Sequence, residues 1–107
     1  MSDVIKLDND NFKQEILEAD LPGAVLFKSP SCPHCVKMEP VFEEVSQAHV
    51  GQMKFGIVDV SQGPEVAAEY GILSIPVVLL LKAGEEADRI VGFVSAEDLK
   101  AKIAGIL

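Results

Sequence analysis

The sequence predicts an α/β fold, a single domain with a mixed sheet and helices on both of its faces. Apolar runs and helical stripes alternate along the first part of the chain, which implies crossover connections and parallel strands. A tight turn at Ala83-Gly84 then joins two strands that must run antiparallel. The 107 residues suit one domain spanning 1–107, and the 49% hydrophobic content is enough for one core.

Val4 to Leu7 reads as a short first strand. Asn11 is placed to cap a helix from Phe12 to about Ala19, with Phe12, Ile16 and Ala19 on one face. Pro22-Gly23 signals a turn, and Ala24 to Phe27 is the continuous apolar run of a strand buried on both faces. A second helix opens at Pro33, a residue suited to a first helical position. Met38, Val41, Phe42 and Val45 form its inner stripe, and Pro40 should kink it. Phe55 to Val60 is the third strand, and Pro64 to Tyr70 a short helix ended by Gly71. Pro76 precedes the strand Val77 to Lys82, and after the Ala83-Gly84 turn the last strand is Asp88 to Gly92. Ser95 caps a final helix whose inner face is Leu99, Ile103 and Ile106. The order is β-α-β-α-β-α-β-β-α.

The net charge of −8 argues against nucleic acid and against anionic membrane surfaces, both of which call for Lys and Arg. The longest apolar run, Val77 to Leu81, is too short to span a bilayer. The N-terminal stretch Met1 to Lys6 shows no basic segment leading into an apolar one, so the expected location is the cytoplasm. Reducing cytosol disfavours a purely structural disulfide.

The chemistry centres on Cys32-Pro33-His34-Cys35, which follows a strand and opens a helix. In that context a C-x-x-C spacing reads as a redox pair. Cys32 lies at a helix N-terminus, where free N–H groups and the helix dipole favour an anion, and the thiolate is the nucleophile. Cys35, back over the first turn, is within disulfide reach. Cys32 would attack a substrate disulfide and Cys35 would resolve the mixed disulfide. An inert buried pair and a metal site are the alternatives. Structural zinc takes four ligands, and His49 lies about three turns along the same helix, so the metal alternatives are a one-chain zinc site short of well-spaced ligands and a dimeric site with two ligands from each chain. His34 is either an exposed histidine with no role or a donor that stabilises the Cys32 thiolate and so raises the potential.

Further motifs are Pro40 in the helix, Tyr70-Gly71-Ile72, Ser74-Ile75-Pro76, Leu81-Lys82-Ala83-Gly84-Glu85 and Val91-Gly92. With these, and with the spacing from the cysteines to Ile75-Pro76, the chain resembles the thioredoxin family along essentially its whole length. The resemblance implies the thioredoxin fold, a central mixed five-stranded sheet flanked by four helices. It implies a cis bond before Pro76, which faces the cysteines. It also implies a substrate groove lined by the Ile75 backbone, Ser74 and Gly92. No cofactor is expected beyond the redox-active disulfide itself.

Four positions depart from the family pattern. Pro33-His34 replaces the usual Gly-Pro and is similar to the DsbA-type oxidases. Ser31 stands where a Trp is usual. Leu26 replaces a buried aspartate that helps deprotonate the second cysteine, and Ile57 replaces its lysine neighbour. Lys28 occupies another Trp position. By strand alternation it shares a face with Leu26 and either reaches the active-site end, to stabilise a thiolate, or is a solvated lysine. The expectation is a monomeric protein-disulfide reductase acting on disulfide-containing proteins and recharged by a thioredoxin-reductase-like donor. An oxidase or isomerase, and a binding module without turnover, are the rival readings.

Overall fold

The computed structural model describes residues 4–107. Met1, Ser2 and Asp3, part of the N-terminal stretch read above for a leader, lie outside the described residues. Five strands, β1 (Val4–Leu7), β2 (Gly23–Lys28), β3 (Lys54–Asp59), β4 (Val77–Lys82) and β5 (Glu85–Val91), form one sheet in the order β1-β3-β2-β4-β5. The β1·β3 and β2·β3 pairs are parallel, and the β2·β4 and β4·β5 pairs antiparallel. Three α-helices, α1 (Pro33–Ala48), α2 (Pro64–Glu69) and α3 (Ala96–Ala104), and a π-helical segment, Lys13–Leu17, complete the mixed α/β fold.

Side-chain alternation in the central strand divides the core in two. Ala24 and Leu26 of β2 face one side, where Met38, Phe42 and Val45 of α1 and Leu99, Ile103 and Ile106 near α3 pack on them. Val25 and Phe27 face the other, against Phe12, Ile16, Val66 and Ala67. A strand buried on both faces needs a continuous apolar run, which is why β2 and β4 read so clearly in the sequence. Gly56 of β3 marks a close approach: a Cβ there would lie 2.2 Å from Leu7 Cδ1.

The first helix departs from expectation. It is a five-residue π-helical segment closed by Glu18 N–H to Lys13 O at 2.9 Å, not an α-helix from Phe12 to Ala19. Asn11 is not its cap. The Asn11 Oδ1 accepts from Asp8 N–H at 2.8 Å, and its Nδ2 donates to Lys6 O at 2.9 Å. The Asp8 carboxylate in turn accepts from Asp10 and Asn11 N–H, so this polar cluster folds on itself instead of capping. The last strand begins at Glu85, three residues before the expected Asp88, because an edge strand tolerates the polar Glu85-Glu86-Ala87. Ser95 Oγ accepts from Asp98 N–H at 3.1 Å, the capping expected of it. Helix α1 continues through Pro40, whose missing N–H leaves one carbonyl of the preceding turn without its helical donor.

Candidate functional site

The β2 strand ends at Lys28, and a loop through Ser29, Pro30 and Ser31 carries the chain into α1. The loop is held by Cys32 N–H donating to Ser29 O at 3.2 Å and by the Ser29 and Ser31 hydroxyls 3.1 Å apart. Cys32 then takes the N-cap position with extended backbone (φ −98°, ψ 110°), and Pro33 opens the helix. The capping acceptor is sulfur: Cys35 N–H donates to Cys32 Sγ at 3.2 Å. An atom that accepts from a helix N-terminus is stabilised there as an anion.

Cys32 and Cys35 are joined in a disulfide, with their Cα atoms 5.2 Å apart. The two cysteines differ in access. Cys35 is fully buried, whereas Cys32 is partly exposed. An external disulfide can therefore meet Cys32 first, and Cys35 only through it. Among the described residues no group of three or more His, Cys, Asp and Glu side chains is placed to hold a metal ion. His49 ends α1 at its far end, stacked on Phe55 and 3.2 Å from Gln52 Oε1.

Residues distant in sequence meet the pair. The Ile75 carbonyl oxygen is 3.8 Å from Cys32 Sγ, and the Ile75–Pro76 bond is cis. Gly92 N–H donates to Pro76 O at 2.8 Å, which ties the end of β5 to the same loop. Gly92 sits at φ +93°, a left-handed conformation that favours glycine. Ser74 is exposed, Ile75 partly buried and Pro76 buried. Pro33 and His34 are both exposed on the first turn of α1.

Lys28 shares the sheet face of Leu26, as expected, and its Nζ lies 3.3 Å from Glu39 Oε1 on α1. Both line an open cleft of about 460 Å³ that also includes Ile57, Asp59 and Glu43. Asp59 accepts from Ser61 Oγ and N–H at 2.7 and 2.9 Å, and these bonds hold its carboxyl below the usual range. Leu26 is fully buried, paired in register with Ile57 and Val78.

Sequence reasoning missed Glu39, whose partner is eleven positions away on another element. It also missed Leu73 and Phe93, apolar side chains 98% and 47% exposed beside Ser74 and Gly92. A large apolar residue inside a Gly- and Ser-flanked loop was the signal available for both.

Comparison with known proteins fits this geometry. The family model "Thioredoxin" matches residues 3–105. The chain belongs to the thioredoxin family. It is 38% identical over 94 residues to thioredoxin 1 of Nostoc sp., covering 88% of each chain. It is 35% identical over 101 residues to a thioredoxin of Alicyclobacillus acidocaldarius, covering 94% of this chain and 95% of that one. With a redox-spaced disulfide at its helix N-terminus, this thioredoxin-family chain is a thiol–disulfide oxidoreductase.

Proposed function

We propose that the protein is a protein-disulfide reductase. Cys32 is the attacking nucleophile, and Cys35 resolves the mixed disulfide. The observation that supports this reading best is the asymmetry of the pair. The accessible sulfur accepts a hydrogen bond at the tip of α1, and the buried one lies directly behind it. The Cys32 thiolate attacks a substrate disulfide, and one substrate sulfur leaves as a thiolate. Cys35 then attacks Cys32, closing the internal disulfide and releasing the second substrate thiolate.

Ser74, the Ile75 backbone, Pro76 and Gly92 hold the substrate segment in extended form, like an added strand, beside the Cys32 sulfur. The 3.8 Å approach of Ile75 O to that sulfur supports this assignment. Pro33 and His34 tune the couple by stabilising the Cys32 thiolate. The reductase works as a monomeric single domain in the cytoplasm and is recharged by a thioredoxin-reductase-like donor. Two cysteines closing one very short loop fit a working disulfide better than a structural one.

The Pro33-His34 dipeptide favours one second reading, an oxidase or isomerase. Equilibration of the Cys32–Cys35 couple with glutathione separates the two. A reductase gives a potential above the roughly −270 mV of thioredoxin and below about −200 mV; a value near the roughly −120 mV of DsbA assigns it as an oxidase.

A further inference from the structure

The resolving step requires Cys35 to lose a proton in a place with no obvious acceptor. Cys35 is fully buried, and burial in apolar surroundings raises a thiol's pKa. Only the thiolate attacks. Leu26 and Ile57, neighbours in register on the α1 side of the sheet, are hydrocarbon and accept nothing.

The charged groups carried on the elements around this region come from four of them. They are His34, Lys37, Glu39 and Glu43 on α1, Lys28 on β2, Asp59 on β3 and Lys6 on β1. His34 and Lys37 are exposed. Asp59 is already satisfied by Ser61. Glu43 is exposed and a full turn beyond Glu39.

Glu39 is placed differently from all of these. It is four residues past Cys35 on α1, so the two Cβ atoms are about 5–6 Å apart. Helical side chains lean toward the N-terminus, which aims Glu39 back over the turn that carries Cys35. Glu39 is partly buried and held 3.3 Å from Lys28 Nζ, at the wall of an open cleft of about 460 Å³ that admits water.

We propose that Glu39, positioned by Lys28 and four residues past Cys35 on α1, accepts the Cys35 proton through an intervening water during resolution, in place of a buried carboxylate at Leu26. The proposal rests on the dithiol mechanism above. The Cys35 thiol gives its proton through water to the Glu39 carboxylate. The thiolate forms the Cys35–Cys32 bond as the Cys32–substrate bond breaks. The electron pair leaves on the substrate sulfur, which takes up a proton from solvent, and Glu39 returns its own proton to water. Two protein thiols are oxidised to a disulfide, and one substrate disulfide is reduced to two thiols.

The test uses a symmetric peptide disulfide carrying a self-quenching fluorophore on each half, mixed with excess reduced protein. The first peptide released reports Cys32 attack, and the second reports resolution. The Cys35→Ser variant defines the first phase by stopping after it. Glu39→Gln is expected to slow the second phase at neutral pH by about tenfold, below the roughly 10²–10⁴-fold of an enclosed general base. It is also expected to steepen that phase's pH dependence toward proportionality with hydroxide. Glu39→Asp is expected to restore part of the rate and the shallower profile. A purely structural role for Glu39 would lower thermal stability and leave the pH profile in place. A second phase with unaltered rate and pH profile in Glu39→Gln, after a normal first release, overturns this proposal alone. No first release from the native protein overturns the dithiol mechanism together with it.

Discussion

Cys35 supports Cys32 through its main chain: the Cys35 N–H donates to Cys32 Sγ at 3.2 Å, in the position where Ser or Asp oxygen usually caps a helix. Local helix geometry thus does two things at once. It places a second sulfur within bonding reach, and it directs a backbone donor at the first. The donor remains when the disulfide is reduced, because it belongs to the helix and not to the sulfur.

His34 lies exposed on the first turn of α1, where a donor beside the Cys32 sulfur stabilises the thiolate and hence the reduced form. Replacing His34 with Ala is expected to make the couple more reducing by about 30 mV, equivalent to about 1.4 kcal/mol. Equilibration with glutathione followed by separation of oxidised and reduced protein measures this. An unchanged potential would assign His34 no part in the tuning, and a more oxidising one would reverse the expected sign.

Leu26 is fully buried among Met38, Phe42 and Val78. Leu26→Asp is expected to speed the resolving step by adding a second proton acceptor near Cys35. It is also expected to cost about 3 kcal/mol or more in stability, since burial in this apolar cluster strips the carboxyl of water. Single-turnover peptide release and urea unfolding read the two effects separately. A resolving rate no faster than native removes proton transfer as the limit.

Ala83 adopts φ +55° and Gly84 φ +78° in the turn between β4 and β5, the left-handed pair of a type I′ hairpin. Glycine is at ease there and alanine is not. Ala83→Asn is expected to stabilise the fold by about 1 kcal/mol, visible as a higher urea midpoint with an unchanged slope.

Acid should erode a defined contribution from Asp59. Its folded pKa lies below the unfolded value because Ser61 donates twice to it, first through its hydroxyl and then through its N–H. The contribution is therefore complete above the unfolded value, about 4, and is lost as pH falls through the lowered folded value. Asp59 is solvent-screened, which limits the effect to within about 1 kcal/mol. Urea midpoints of native protein and Asp59→Asn should differ at pH 6, and the gap should narrow steadily as pH falls below about 4. A gap that does not narrow at all on acidification would mean that the carboxylate's charge is not its source.

The parts of the fold that depend on burial and local stops were legible in the sequence. β4 has the bounds its apolar run predicts, α1 starts at Pro33, and Ser95 caps α3. The parts that depend on distant partners were not. Asn9 illustrates this: its side chain accepts from Glu65 and Val66 N–H, capping α2 from 56 and 57 residues away because Gly63 has no side chain to do so. The polar Asp8–Asn11 cluster competed with a helix cap and won, and β5 hid its first residues in edge-strand polarity. At the site, the cysteine pair was readable because its chemistry is local to one helical turn. Lys28 was readable by face but not by partner, because the Glu39 contact exists only once β2 and α1 are packed.

The central claim is that the tip of α1 favours the anionic form of the Cys32 sulfur. The most direct measurement is the rate of Cys32 alkylation by iodoacetamide as a function of pH, in the reduced protein, with the modified residue located by peptide mass. The account predicts that half-maximal reactivity falls well below the roughly 8.5 of an ordinary cysteine. A midpoint at or above that value would contradict it.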